Sequence, residues 1–211
     1  KANITLDLKK ATPEERSEQA KQMAAANKQF KGDVEATIEG KESFILDGTG
    51  ASYNSTVKLK NELEEAGYKV FMLYVYTDLQ RSLSQNQDRY EKSEGKDRSL
   101  APAIVMRTWK SVTDNLPKYA ELFGNNFVAV ANTLDDKMQD IDKIIKKYLT
   151  PFKPQGTKPK TPKEQAKSDA RKAKDKEEIQ IMLDDDFITD VISYTMSKEE
   201  AQMRIGKFLN S

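Results

Sequence analysis

Apolar residues in this chain follow two rhythms: short unbroken runs, and longer stretches in which they recur every three or four positions. The runs read as buried strands and the stretches as helices with one inner face. Thr12-Pro13-Glu14-Glu15 is a capping box with proline in the first turn. It opens a helix expected to reach Glu39, where Gly40 stops it, with Ala20, Met23, Ala24, Phe30, Val34 and Ile38 as a sparse inner face. Phe44 to Leu46 reads as a short buried strand. A second helix, Ser55 to Ala66, is capped by Asn54 or Ser55, buries Val57, Leu59 and Leu63, and closes on a left-handed Gly67. Tyr68 to Tyr76, β-branched and aromatic, is the best central-strand candidate. Thr77-Asp78-Leu79-Gln80 is another capping box, opening a helix that carries Arg81, Asn86 and Arg89. The polar stretch Tyr90 to Leu100 reads as a loop. Pro102 starts a helix with Ile104, Val105, Trp109, Val112 and Leu116 as its stripe, ending at Pro117. Asn126 to Ala131 is a third strand, and Thr133 caps a helix through Tyr148.

Strand and helix alternate in this order, which predicts an α/β fold with a three-layer parallel sheet over residues 1–149. Residues 150–176 alternate proline with lysine and read as a solvated linker running into a charged helix. Ile179 to Tyr194 and Ser197 to Leu209 follow as an amphipathic helical hairpin within 177–211. Its apolar residues exceed what a lone hairpin buries, so it should dock on the main domain or on a protein partner.

Composition narrows the chemistry. The chain has neither cysteine nor histidine, which leaves carboxylates, Lys, Arg, Tyr and hydroxyls for any reaction. A net charge of +1 argues against a nucleic-acid or membrane partner recruited by bulk charge. No apolar stretch has the length of a bilayer helix and no signal-peptide pattern opens the chain, so the expected setting is cytoplasmic.

The sharpest local signal is FILDGTG. Asp47 is expected at a strand's carboxyl end, the edge where open α/β sheets bind ligands, and a carboxylate there suits a hydroxyl proton or a hydrated magnesium ion. Gly48 and Gly50 permit a sharp turn and close approach of backbone to ligand, with Thr49 between them. A plain strand-to-helix turn has the same pattern.

Together FILDGTG, GYKVFMLYV, the Arg-bearing helix SLSQNQDRY, KDRSLAP before the Trp109 helix, and NFVAVAN resemble a P-loop kinase of the zeta-toxin type. The resemblance covers Lys41 to Asn132, and in texture extends to kinase-like proteins of tailed phages, which adds the virion as a setting. It implies an ATP- or GTP-dependent kinase acting with Mg2+ on a small-molecule, nucleotide or nucleotide-sugar hydroxyl. It also implies roles: Asp47 facing acceptor and, through water, magnesium; Gly48, Thr49 and Gly50 beside the acceptor; Arg89, Arg98 and Asn132 toward the nucleotide. Surface solubility, or pairing with Glu91 or Glu94, would equally explain the two arginines; a helix cap would explain Asn132. Arg107 and Lys110 rank lower, and Trp109 reads as core.

One departure is large: no G-x-x-x-x-G-K-[ST] occurs in the 211 residues. In the family that loop and its strand come first, and the strand lies between those ending at Asp47 and at Tyr76. The expectation is therefore an N-terminally truncated kinase, inactive alone, with two flanking strands left about 9 to 10 Å apart. The alternative is a catalytically inactive kinase-like scaffold with a structural or interaction role.

Overall fold

The computed structural model describes residues 11–93, 100–132 and 161–211. The predicted helix 133–148, the first ten residues and most of the Pro/Lys linker lie outside them. The described residues form two compact units, one of 11–48, 85–93 and 100–101 and a larger one of 49–84, 102–132 and 161–211.

In the smaller unit, α1 (Pro13–Glu39) starts as expected. Thr12 Oγ1 accepts from the Glu15 amide while the Glu15 carboxylate accepts from the Thr12 amide, and Gly40 caps the far end. Its apolar stripe is not buried: no residue of α1 is, and Met23 and Phe30 are exposed. The strand expected at Phe44–Leu46 does not form. Those residues pair with no strand among the described residues, and Ile45 is 96% exposed. An extended run becomes a strand only when a neighbour accepts its backbone hydrogen bonds in a ladder, and no ladder includes this run among the described residues.

The larger unit is built on a parallel sheet of two strands, β1 (Met72–Tyr76) and β2 (Phe127–Ala131), in register from Met72 beside Phe127 to Tyr76 beside Ala131. Asn132 adds one more rung, its amide donating to the Tyr76 carbonyl at 2.7 Å. Helix α2 (Tyr53–Glu65) is capped by Ser52, two to three residues before the predicted caps. It ends in a Schellman turn: Tyr68 N–H reaches the Leu63 carbonyl, Gly67 N–H reaches that of Glu64, and Gly67 has φ +89°. Helix α3 (Leu79–Lys92), whose residues from Gln85 on belong to the smaller unit, begins one residue later than its capping-box pattern implies. Asp78, not Thr77, is the cap, and its carboxylate accepts from the Arg81 amide at 2.8 Å.

Helix α4 (Pro102–Phe123) runs straight through Pro117, where the sequence predicts an end. A proline inside a helix costs about 3 kcal/mol. Leu116, Tyr119 and Phe123, all buried against Tyr74, Tyr76, Phe127 and Ala129, offset it, because ending the helix at Pro117 would leave that sheet face bare. On the opposite face Leu73 and Val75 are half exposed, so β1 is not the fully covered central strand its composition suggests.

Three more helices follow. Helix α5 (Pro162–Met182) opens on a capping box at Thr161 and takes up most of the stretch expected to be linker. The helix predicted over Ile179–Tyr194 is split: α5 ends at Met182, Asp184 caps α6 (Asp185–Ser193), and α7 (Lys198–Leu209) begins at the predicted Ser197 cap. Docking of this region on the main domain is observed. Ile179 and Met182 bury against Leu79, Leu83, Met106 and Trp109, Val191 joins the sheet core, Phe208 meets Phe71 at 4.8 Å, and the Met196 amide bonds the Ala129 carbonyl at the outer edge of β2. Among the described residues no helix is long and apolar enough to cross a membrane.

Candidate functional site

Asp47 and Gly48 close the smaller unit along the chain, and Thr49 opens the larger. All three are exposed, in backbone that is neither helix nor strand. The turn becomes defined at Gly50, whose φ of +65° is a left-handed value that glycine adopts without strain. Its carbonyl accepts from the Tyr119 hydroxyl at 2.8 Å and from Asn115 Nδ2 at 3.2 Å, and the same Asn115 nitrogen lies 3.2 Å from the Ala51 carbonyl. Thr49 Oγ1 accepts weakly from the Ala51 amide, and Ser52 then caps α2. Tyr119 is fully buried, and burial raises its phenol pKa above the ordinary value, against a smaller lowering by the Thr56 hydroxyl.

The turn lies toward the start of β1. A side-chain carbon added at Gly50 would stand 3.6 Å from the Tyr119 ring and 4.0 Å from the Met72 methyl, and Met72 is the first residue of that strand. Asn132 sits at the other end, held by its amide to Tyr76, with its side chain exposed. Strand length separates the two ends by about 13 Å at ~3.3 Å per residue. Thr49 and Gly50 are thus not brought to the carboxyl edge with Asn132. Since Phe44–Leu46 form no strand, the turn is held by Asn115 and Tyr119 of α4 and not by a strand end.

The carboxyl edge itself carries Asp78, a carboxylate that sequence reasoning treated only as part of a cap. It is buried, caps α3, and its charge together with burial pushes the Tyr76 phenol up to about 12, burial being the larger cause. Its place after β1 was legible in YVYTD, but the capping reading absorbed it.

Arg89 is exposed in the last turn of α3, where a cation complements the helix dipole, and Arg98 lies outside the described residues. Arg107 and Lys110 serve packing. Arg107 Nε meets Asp175 at 2.8 Å, and Lys110 reaches Asp114 at 2.9 Å and Glu178 at 3.6 Å, so both tie α4 to α5. The Lys110 hydrogen bond to Asp114 raises its ammonium pKa. Trp109 is core, its indole N–H donating to the Thr77 carbonyl at 2.8 Å.

A magnesium nucleotide does not fit these residues by themselves. The sequence has no glycine-lysine phosphate loop, and among the described residues no group of three or more carboxylates is placed to hold a metal. Among known proteins, the zeta toxin family model matches residues 6–145. No curated protein and no solved structure matches the chain. The match spans β1, β2, the DGTG turn and helices α1 to α4, well over half of the sequence. The chain therefore belongs to the zeta-toxin family of P-loop kinases, whose members have a kinase-like, nucleotide-dependent function.

Proposed function

We propose that this chain is part of an ATP- or GTP-dependent kinase that phosphorylates the hydroxyl of a small molecule, nucleotide or nucleotide sugar, and that Asp47 is its acceptor-side carboxylate. The observation that carries this reading is the family match, which includes the DGTG turn and its exposed Asp47. Phosphoryl transfer asks the protein mainly for positioning and charge neutralisation. Asp47 would accept or orient the acceptor's hydroxyl proton, with Gly48, Thr49 and Gly50 beside it. Arg89, Arg98 and Asn132 remain the candidates for the nucleotide, and no step is assigned to them.

The test is transfer of labelled phosphate from magnesium ATP or GTP to a panel of hydroxyl acceptors by the full-length protein. Asp47→Asn should lose at least about a hundredfold in rate with nucleotide affinity little changed. Equal activity in that variant removes the carboxylate from the mechanism.

A second reading, a kinase-like scaffold without catalysis, draws on a different observation. Residues 162–211 lie beyond the matched 6–145 and are seated on α4 and β2, while the phosphate loop is missing from the sequence. Titration with magnesium nucleotide separates the two. Micromolar, saturable binding favours the kinase; no binding, with a stable assembly in light scattering, favours the scaffold.

A further inference from the structure

Two buried side chains on α4 carry polar atoms that packing alone does not require. Asn115 and Tyr119 lie one turn apart on the helix face that also carries Leu116, where an aliphatic pair would fill the same space without an amide or hydroxyl to satisfy. A buried amide is costly unless it is bonded, and asparagine is a modest helix former. Both direct their hydrogen bonds outward to one short segment. Tyr119 gives its proton to the Gly50 carbonyl, and its oxygen lies 3.1 Å from Thr56 Oγ1, which also reaches the Ser52 carbonyl at 3.2 Å. Asn115 Nδ2 serves the carbonyls of Gly50 and Ala51, and Lys118 Nζ stands 3.4 Å from Asn115 Oδ1. Tyr53, from the first turn of α2, places its ring 5.5 Å from that of Tyr119. Successive carbonyls of an extended chain point to opposite sides. Here two of them meet one donor, so the backbone turns at Ala51.

We infer that Asn115 and Tyr119 are positioning residues for the acceptor loop: by gripping the carbonyls of Gly50 and Ala51 they fix the turn that carries Thr49 and follows Asp47. The inference rests on the kinase reading for what the loop presents, and on the hydrogen bonds alone for the grip. Neither side chain touches the reacting atoms; each acts through the loop backbone.

The experiment uses the full-length protein with Tyr119→Phe, which keeps the ring and its packing, and Asn115→Asp, which keeps the shape but removes the donor. Carbonyl-carbon NMR shifts of Gly50 and Ala51 read the grip, and steady-state phosphoryl transfer reads its consequence. Both variants should move those shifts and leave the carbonyls of β1 and β2 in place. Each should raise the KM for the hydroxyl acceptor roughly tenfold, the worth of one net hydrogen bond, with the KM for nucleotide unchanged. A general loss of folding would instead lower kcat without distinguishing the two substrates. Unmoved Gly50 and Ala51 shifts, or equal changes in both KM values, would overturn the inference. If the wild type transfers no phosphate but the variants still release the two carbonyls, the kinase reading fails while the grip on the loop stands.

Discussion

Helix α5 offers a controlled pair of substitutions. Ile179 is 2% exposed and packed with Leu79, Leu83, Met106 and Trp109, whereas Ile181, two residues on along the same helix, is 63% exposed. Changing either to alanine alters helix propensity by the same few tenths of a kcal/mol in the favourable direction, so that contribution cancels in the comparison. Only Ile179→Ala removes buried methyl groups and opens a cavity, at a cost of about 3 kcal/mol within the usual range for such truncations. The assay is urea unfolding followed by fluorescence, because the chain has a single tryptophan and Trp109 belongs to the cluster being perturbed. With a slope of about 2 kcal/mol/M the midpoint should fall by about 1.5 M for Ile179→Ala. For Ile181→Ala it should stay within about 0.3 M. A shift for Ile179→Ala no larger than that for Ile181→Ala would refute the docking of α5 on α4.

Two further outcomes follow from other contacts. Gly67→Ala should cost about 1 kcal/mol in thermal or urea unfolding: φ is +89° and no atom lies within 4 Å, so the whole effect is backbone strain. Gly206→Ala, inside α7 with the same free space but without a positive φ, should instead stabilise by up to about 1 kcal/mol. At alkaline pH the buried phenols decide stability. Tyr74, Tyr76 and Tyr119 all have raised pKa values, burial being the largest cause in each. A raised folded-state value means that the contribution is complete below the ordinary pKa of 10 and is lost as pH climbs through the folded value. For Tyr76, held up to about 12, that loss amounts to roughly 3 kcal/mol between pH 10 and 12. Urea midpoints at pH 9 and 11, with phenolate absorbance followed in parallel, check it; equal midpoints would contradict the buried placement of these rings.

What can be read from the chain itself is whatever depends on neighbours along it. The capping box at Thr12, the N-cap at Ser197, the stop at Gly40 and the left-handed Gly67 each need only a few adjacent residues, and each is where the pattern puts it. The apolar runs around Tyr74 and Val128 are strands, and their parallel pairing follows from the helices between them. Thr161-Pro162-Lys163-Glu164 has the same signature as the box at Thr12 and was obscured only by the prolines and lysines around it.

Other features were settled only by the tertiary structure. Phe44–Leu46 has strand composition but joins no ladder among the described residues, and Pro117 has the composition of a helix end but lies under residues that the sheet needs buried. Position along the sequence placed Gly50 after a strand; contact with Asn115 and Tyr119, more than sixty residues away, decided where it sits. Local hydrogen bonds and dihedral preferences are properties of a few consecutive residues, whereas burial and pairing exist only once distant segments meet.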